Sequence, residues 1–136
     1  MSFLFDTNSL ILLIRSAKED EKTRLIAAGK MLYLTFYEIG NAVWTESELI
    51  KSLNEEDLRT LVSTFTRLLT LIETLPLSYN DFPDILAIAR KERLTFYDSS
   101  YVHSAKRYDL TLITDDRKLS KIAKKYVPTK SIHDLL

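Results

Sequence analysis

At 136 residues, with 19 lysines and arginines against 19 aspartates and glutamates, the chain has the length of one domain and no global positive field of the kind that marks many nucleic-acid binders. The absence of cysteine excludes disulfides, thiolate metal sites and a cysteine nucleophile. No run is long and apolar enough for a signal peptide or a membrane span, so the expectation is a single cytoplasmic domain over 1–136 with no membrane partner.

The chain opens on Ser2 to Asp6, a mostly apolar run of strand length that ends on a carboxylate. Such a run predicts a buried strand that delivers one acid to its C-terminal edge, where ligands bind in open α/β sheets. Ser9 to Arg15 continues as a very apolar helix, and Glu19 to Ala28 as a more polar one that stops at Gly29. The aromatic and branched run Met31 to Phe36 predicts a second strand, with Tyr37-Glu38 opening the next helix.

That helix carries Ile39, Ala42, Val43, Leu49, Ile50 and Leu53 at helical spacing. Asn54 is placed to cap its successor, with Asp57 three residues on. Leu58, Leu61, Val62, Phe65, Leu68, Leu69 and Ile72 then trace one stripe, read first as core and second as a partner surface. Leu75-Pro76-Leu77 predicts a connecting or edge strand. Phe82 to Arg93 is the next helix, with Phe82, Ile85, Leu86, Ile88 and Ala89 inward.

Asp98 opens a helix through Tyr108, and Leu110 to Thr114 is the clearest strand. Asp115-Asp116 and a basic helix to Lys125 follow, then a last short strand and helix. This alternation predicts an α/β fold, a mostly parallel central sheet with helices on both faces and all strand C-termini on one edge. Asp6, Glu38, Asp98 and Asp116 would meet there.

Clustered carboxylates repel one another, and a hard divalent cation relieves the conflict. Mg²⁺ or Mn²⁺ prefers oxygen donors, and the reaction such a site suits is phosphodiester hydrolysis. Arg117, Lys118, Lys121, Lys124 and Lys125 directly follow Asp116, so the helix they form is a candidate for phosphate-backbone contacts, weighed against an ordinary solvated face. Taken singly, each acid is more simply explained as a helix cap or an electrostatic helper at a helix start.

Four segments, Phe5-Asp6-Thr7-Asn8-Ser9, Tyr37-Glu38-Ile39-Gly40-Asn41, Phe96-Tyr97-Asp98-Ser99-Ser100-Tyr101 and Ile113-Thr114-Asp115-Asp116-Arg117-Lys118-Leu119, together resemble the motifs of the PIN-domain family. In size and element order the chain is most similar to the VapC-like toxins of prokaryotic toxin-antitoxin pairs, from Phe3 to about Ile132. The resemblance implies a three-layer α/β/α sandwich and a metal-dependent endoribonuclease. Asp6, Glu38, Asp98 and Asp116 match the family's acidic positions, which would hold Mg²⁺ or Mn²⁺.

Asn8 and Thr114 match polar support positions, and Asp115 is the acid expected to act as a solvated cap or outer contributor. A homodimer, an RNA substrate and a cognate antitoxin that enters the acidic groove are implied in the same way. Ser99, where relatives often have alanine, and His103, where they have small or apolar residues, are departures that remove no ligand. A silent PIN-like scaffold subunit and a metal-dependent DNA or flap nuclease are the competing readings.

Overall fold

The structure, a computed structural model, describes residues 2–136. Five strands form one sheet in the order β3-β2-β1-β4-β5, with every pairing parallel. They are β1 (Phe3–Phe5), β2 (Gly29–Leu32), β3 (Glu73–Leu75), β4 (Thr111–Ile113) and β5 (Thr129–Lys130). The helices are α1 (Thr7–Ser16), α2 (Glu19–Ala27), α3 (Tyr33–Trp44), α4 (Glu55–Leu69), α5 (Phe82–Glu92), α6 (Phe96–Arg107) and α7 (Arg117–Ala123). Among the described residues no helix is long and apolar enough to cross a membrane.

Central strand β1 shows why three layers form. Its side chains alternate between faces, and all three are buried. Phe3 and Phe5 join Leu10, Leu13 and Ile14 of α1, Leu25 and Ile26 of α2, and Phe65 and Leu68 of α4 in one apolar layer. Leu4 points the other way, into a layer with Leu112 of β4, Val102 and Ala105 of α6, and Leu119 and Ala123 of α7. The sheet therefore has a helical cover on each face, which is the α/β/α sandwich.

Gly29 begins β2 because nothing larger fits there. A Cβ at this position would strike the ring of Phe5 and lie 3.1 Å from the Leu25 carbonyl oxygen. Phe5 has no solvent-exposed surface into which it could retreat. Gly29→Ala should destabilise the protein by about 2 kcal/mol, the usual penalty for overpacking a filled core, measured as a lower urea midpoint at unchanged m-value.

Several expectations are corrected. The run Met31 to Phe36 is not a strand: β2 ends at Leu32 and α3 starts at Tyr33. Only Thr35 and Ile39 of α3 are buried, a helical spacing, while Tyr33, Phe36 and Tyr37 point outward; packing overrides the strand preference of the aromatic residues. Glu38 therefore sits in the second turn of a helix rather than at a strand exit.

Beyond Trp44 the same helix widens into a π-helical stretch, Thr45–Ile50, that ends at Lys51 in the left-handed region (φ 58°). None of its residues is buried, and Ile50 is 65% exposed, so Leu49 and Ile50 do not join the core. Phe82 and Leu86, expected inward, are 56% and 39% exposed on α5, where the Phe82 ring lies 5.4 Å from that of Phe96. Within the α4 stripe, Phe65, Leu68 and Ile72 are core, whereas Val62 is exposed on the rim of an apolar groove between α3 and α4.

Candidate active site

Strands β1 and β4 run side by side in register, Phe5 opposite Ile113, and the Asp6 N–H donates to the Ile113 carbonyl at 3.0 Å. Both strands thus stop together and release acidic residues at the same edge. Asp6 becomes the N-cap of α1, its Oδ1 accepting from the Ser9 N–H at 2.9 Å. Asp116 becomes the N-cap of α7, its Oδ1 accepting from the Leu119 N–H at 2.8 Å. Each satisfies an otherwise orphaned helix donor and benefits from the positive helix end.

Asp98 enters from the first turn of α6, whose cap is Thr95. Glu38 enters from α3, where its Oε1 accepts hydrogen bonds from the Thr7 hydroxyl (2.7 Å) and the Tyr101 hydroxyl (3.1 Å). All four acids line one cavity of about 400 Å³, together with Asn8, Asn41, Tyr37 and Tyr97. The sequence-predicted convergence on one sheet edge is therefore realised in space. The caps explain Asp6 and Asp116 locally; they do not explain Glu38 and Asp98 facing the same cavity.

Electrostatics carry the imprint of this crowding. Burial pushes the Asp6 carboxyl above its ordinary value, against the hydrogen bonds of Thr114 and Ser9, and the nearby charge of Asp115 pushes the same way. Asp98 is likewise raised, first by burial and then by Asp116, Asp6 and Glu38, with Lys118 opposing. Asp98 is thus the acid on which the charges of the other three converge.

Among the described residues no three of these side chains stand at chelating distance from a common point. Asp6, Glu38 and Asp116 are each held by hydrogen bonds to their own neighbours. The donor set itself, all oxygen and mutually repelling, fits a hard divalent cation such as Mg²⁺ or Mn²⁺. Engaging one ion would require these side chains to draw inward, and the relief of repulsion favours that movement.

The supporting residues divide. Asn8 lines the acidic cavity. Thr114 is buried beneath it, with its Oγ1 accepting from the Asp116 N–H at 3.1 Å. Asp115 faces away, its Oδ1 accepting from the Ile132 N–H at 3.2 Å in the C-terminal turn. Arg117 and Lys121 line a separate cleft with Lys124 and His133 on the other side of α7, while Lys118 donates to the Arg93 carbonyl at 3.2 Å. His103 lies outside the cavity, with its Nε2 2.9 Å from the Asp81 carboxylate.

Sequence reasoning assigned no role to Asn41, Thr7 or Tyr101, although all three line the cavity. Asn41 follows Glu38 by three residues on α3, and Tyr101 follows Asp98 by three on α6. Residues at that spacing share a helix face, which was the available signal.

The PIN domain family matches residues 3–125 of this chain. A protein of Pyrobaculum aerophilum, named Exonuclease VapC9, is 32% identical over 122 residues, which span 88% of this chain and 84% of the relative. The crystal structure of PAE2754, also from Pyrobaculum aerophilum, superposes with a TM-score of 0.81 at 27% identity, covering 99% of this chain and 92% of the other. A chain in the structure of FitAB bound to an IR36 DNA fragment has a TM-score of 0.71 at 17% identity, covering 96% of this chain and 94% of the other, a likeness of fold.

Proposed function

The chain belongs to the PIN-domain family, and from that premise we propose that it is a Mg²⁺- or Mn²⁺-dependent endoribonuclease, the toxin of a toxin-antitoxin pair. The observation that carries this reading is the single cavity onto which α1, α3, α6 and the start of α7 each direct one carboxylate. Asp6, Glu38, Asp98 and Asp116 are the residues that would hold the ion. When bound, the ion supplies charge neutralisation at the scissile phosphate and makes water a better nucleophile there.

The remaining residues have positional work. Thr114 orients the Asp6 and Asp116 end of the site, and the Asn8 and Asn41 amides offer both donors and acceptors to substrate. Tyr37 and Tyr97 are exposed at the cavity, where their rings offer stacking faces to unpaired bases. Lys118, beside Asp98, would hold an RNA phosphate without reading sequence, and Arg117 and Lys121 would meet the strand only outside the cavity, from the cleft on the other side of α7.

Two protein partners belong to the reading: a cognate antitoxin and a second copy of the chain. The apolar groove lined by Phe36, Val43, Val62 and Leu69 supports a protein contact on this face. The preference for RNA over DNA rests on the likeness to VapC proteins, since the metal chemistry serves either polymer. A second reading, nucleotide release from chain ends, is favoured by the exonuclease name of the Pyrobaculum relative.

The test is incubation of labelled linear RNA, circular RNA and single-stranded DNA with Mg²⁺, Mn²⁺ or EDTA, using the wild type and Glu38→Gln. Linear and circular RNA should be cut only with metal, and the variant should be slower by about 10³-fold, a loss of several kcal/mol of transition-state stabilisation. Cleavage confined to linear RNA would establish the exonuclease, and cleavage confined to DNA the DNA nuclease. Metal-independent silence towards all three would leave the scaffold reading.

A further inference from the structure

A connected polar cluster lies beneath the acidic cavity, where Tyr101 is only 2% exposed yet brings its hydroxyl among three other polar groups. Its oxygen is 2.7 Å from Thr35 Oγ1, 2.9 Å from Thr7 Oγ1 and 3.1 Å from Glu38 Oε1. Thr7 reaches the same Glu38 oxygen at 2.7 Å. These contacts join α1, α3 and α6 across sequence separations of 31 to 94 residues.

Each hydroxyl has one proton, so the directions can be assigned. Glu38 as a carboxylate only accepts. Thr7 spends its proton on Glu38, and therefore cannot donate to Tyr101. A Tyr101 proton directed to Glu38 or Thr7 requires the 2.7 Å contact with Thr35 to be donated by Thr35, which also accepts from the Leu32 N–H at 3.4 Å. The Tyr101 proton then goes to Glu38 directly or to Thr7, which passes the polarisation on. In either arrangement the chain of donors runs from α3 through α6 and ends on Glu38 Oε1.

We infer that Tyr101 is a positioning residue for the metal site: with Thr7 and Thr35 it fixes one oxygen of Glu38 and so leaves Oε2 as the oxygen that would hold an ion. This inference rests on the metal-dependent reading above. Glu38 Oε2 has no hydrogen-bond partner among the described residues, and Glu38 lines the cavity. The arrangement also sets spacing. Thr7 adjoins Asp6, Thr35 precedes Glu38 by one helical turn, and Tyr101 follows Asp98 by one turn, so the network registers three of the four acids against each other.

Outer partners of this kind orient ligands, and losing one weakens metal affinity by about 10–100-fold. The test is Mn²⁺ binding by calorimetry to the wild type, Tyr101→Phe, Glu38→Gln and the double variant, each checked for native circular dichroism. Phenylalanine keeps the buried ring and removes only the hydroxyl. Tyr101→Phe should bind Mn²⁺ about 10–100-fold more weakly, and in the Glu38→Gln background the same change should have no further effect.

Wild-type affinity in Tyr101→Phe, with Glu38→Gln impaired, would overturn the inference while leaving the metal site standing. Losses that simply multiply in the double variant would also overturn it, since Tyr101 would then act independently of Glu38. Failure of the wild type itself to bind Mn²⁺ would remove the metal-dependent reading and this inference with it. Should Tyr101→Phe not fold, Thr7→Val removes the other donor to the same oxygen and enters the same cycle with the same expected and overturning results.

Discussion

Asp98→Asn should raise the melting temperature of the protein in EDTA and lower it in saturating Mn²⁺. The two signs come from one cause. Without an ion, Asp98 is charged against burial and against Asp116, Asp6 and Glu38, and its carboxyl is displaced above the ordinary range. Asparagine of nearly equal size removes that repulsion. A gain of about 1 kcal/mol would raise the melting temperature by roughly 3–5 °C in a chain of this length.

With an ion the balance reverses. At a Mn²⁺ concentration about 100-fold above its dissociation constant, binding stabilises the wild type by about 2.7 kcal/mol; a variant that binds about 30-fold more weakly gains under about 1 kcal/mol. The pH dependence has a matching sign. Because the folded-state values of Asp6 and Asp98 are raised, the stability they contribute is fully present below the ordinary carboxylate value of 3.8 and is lost as pH rises through their displaced values.

Metal-free wild type should therefore lose stability as the pH is raised above about 4, and the variant should lose less. Thermal melts at several pH values, with EDTA and with Mn²⁺, read all of this. A variant destabilised equally in both conditions would show that Asp98 supports the fold as a cap or packing residue and adds no repulsion.

How the site could be read from sequence depends on which contacts are local. Asp6 and Asp116 were legible because buried strands β1 and β4 are short apolar runs that end abruptly in a capping acid, and capping acts over three residues. Glu38 was legible as an acid but was placed at the wrong local position. Aromatic density resembled a strand, and only the burial of Thr35 and Ile39 on one side reveals the helix. The basic run after Asp116 gave charge without direction: Arg117 and Lys121 turn to one side of α7, and Lys118 towards Arg93.

The Tyr101 network had no comparable signal, because its partners are separated by dozens of residues and meet only when three helices pack. Asp81 is a mixed case. Ser78 and Asp81 form a local capping pair, which a Ser-x-x-Asp spacing announces. What that spacing does not announce is that the same carboxylate also receives His103 and Arg107 from α6.

Asp81→Asn should be the most destabilising polar substitution in the protein, by about 2–3 kcal/mol near neutral pH, towards the lower end for breaking a buried charged pair because Arg107 keeps half its side chain in solvent. The Asp81 carboxylate is buried and accepts from the Ser78 N–H at 2.8 Å, from Arg107 Nη1 at 2.7 Å on both oxygens, and approaches His103 Nε2 at 2.9 Å. The Ser78 backbone hydrogen bond, then His103 and the Arg107 charge, hold its pKa down to about 2.

Asparagine keeps the shape but turns one acceptor oxygen into a donor facing donors. The sign with pH is opposite to that of the cavity acids Asp6 and Asp98. A depressed carboxylate contributes stability above its unfolded value of 3.8 that is lost as pH falls towards 2. The gap between wild type and Asp81→Asn, measured by urea unfolding, should therefore be full at pH 6 and close progressively below pH 4, as protonation does to the wild type what the substitution does to the variant.

Metal-free wild type should consequently be most stable at mildly acid pH, with Asp6 and Asp98 eroding it above and Asp81 below. A gap that persists undiminished at pH 2 would mean that Asp81 matters through packing alone and that its ties to α6 carry no charge dependence.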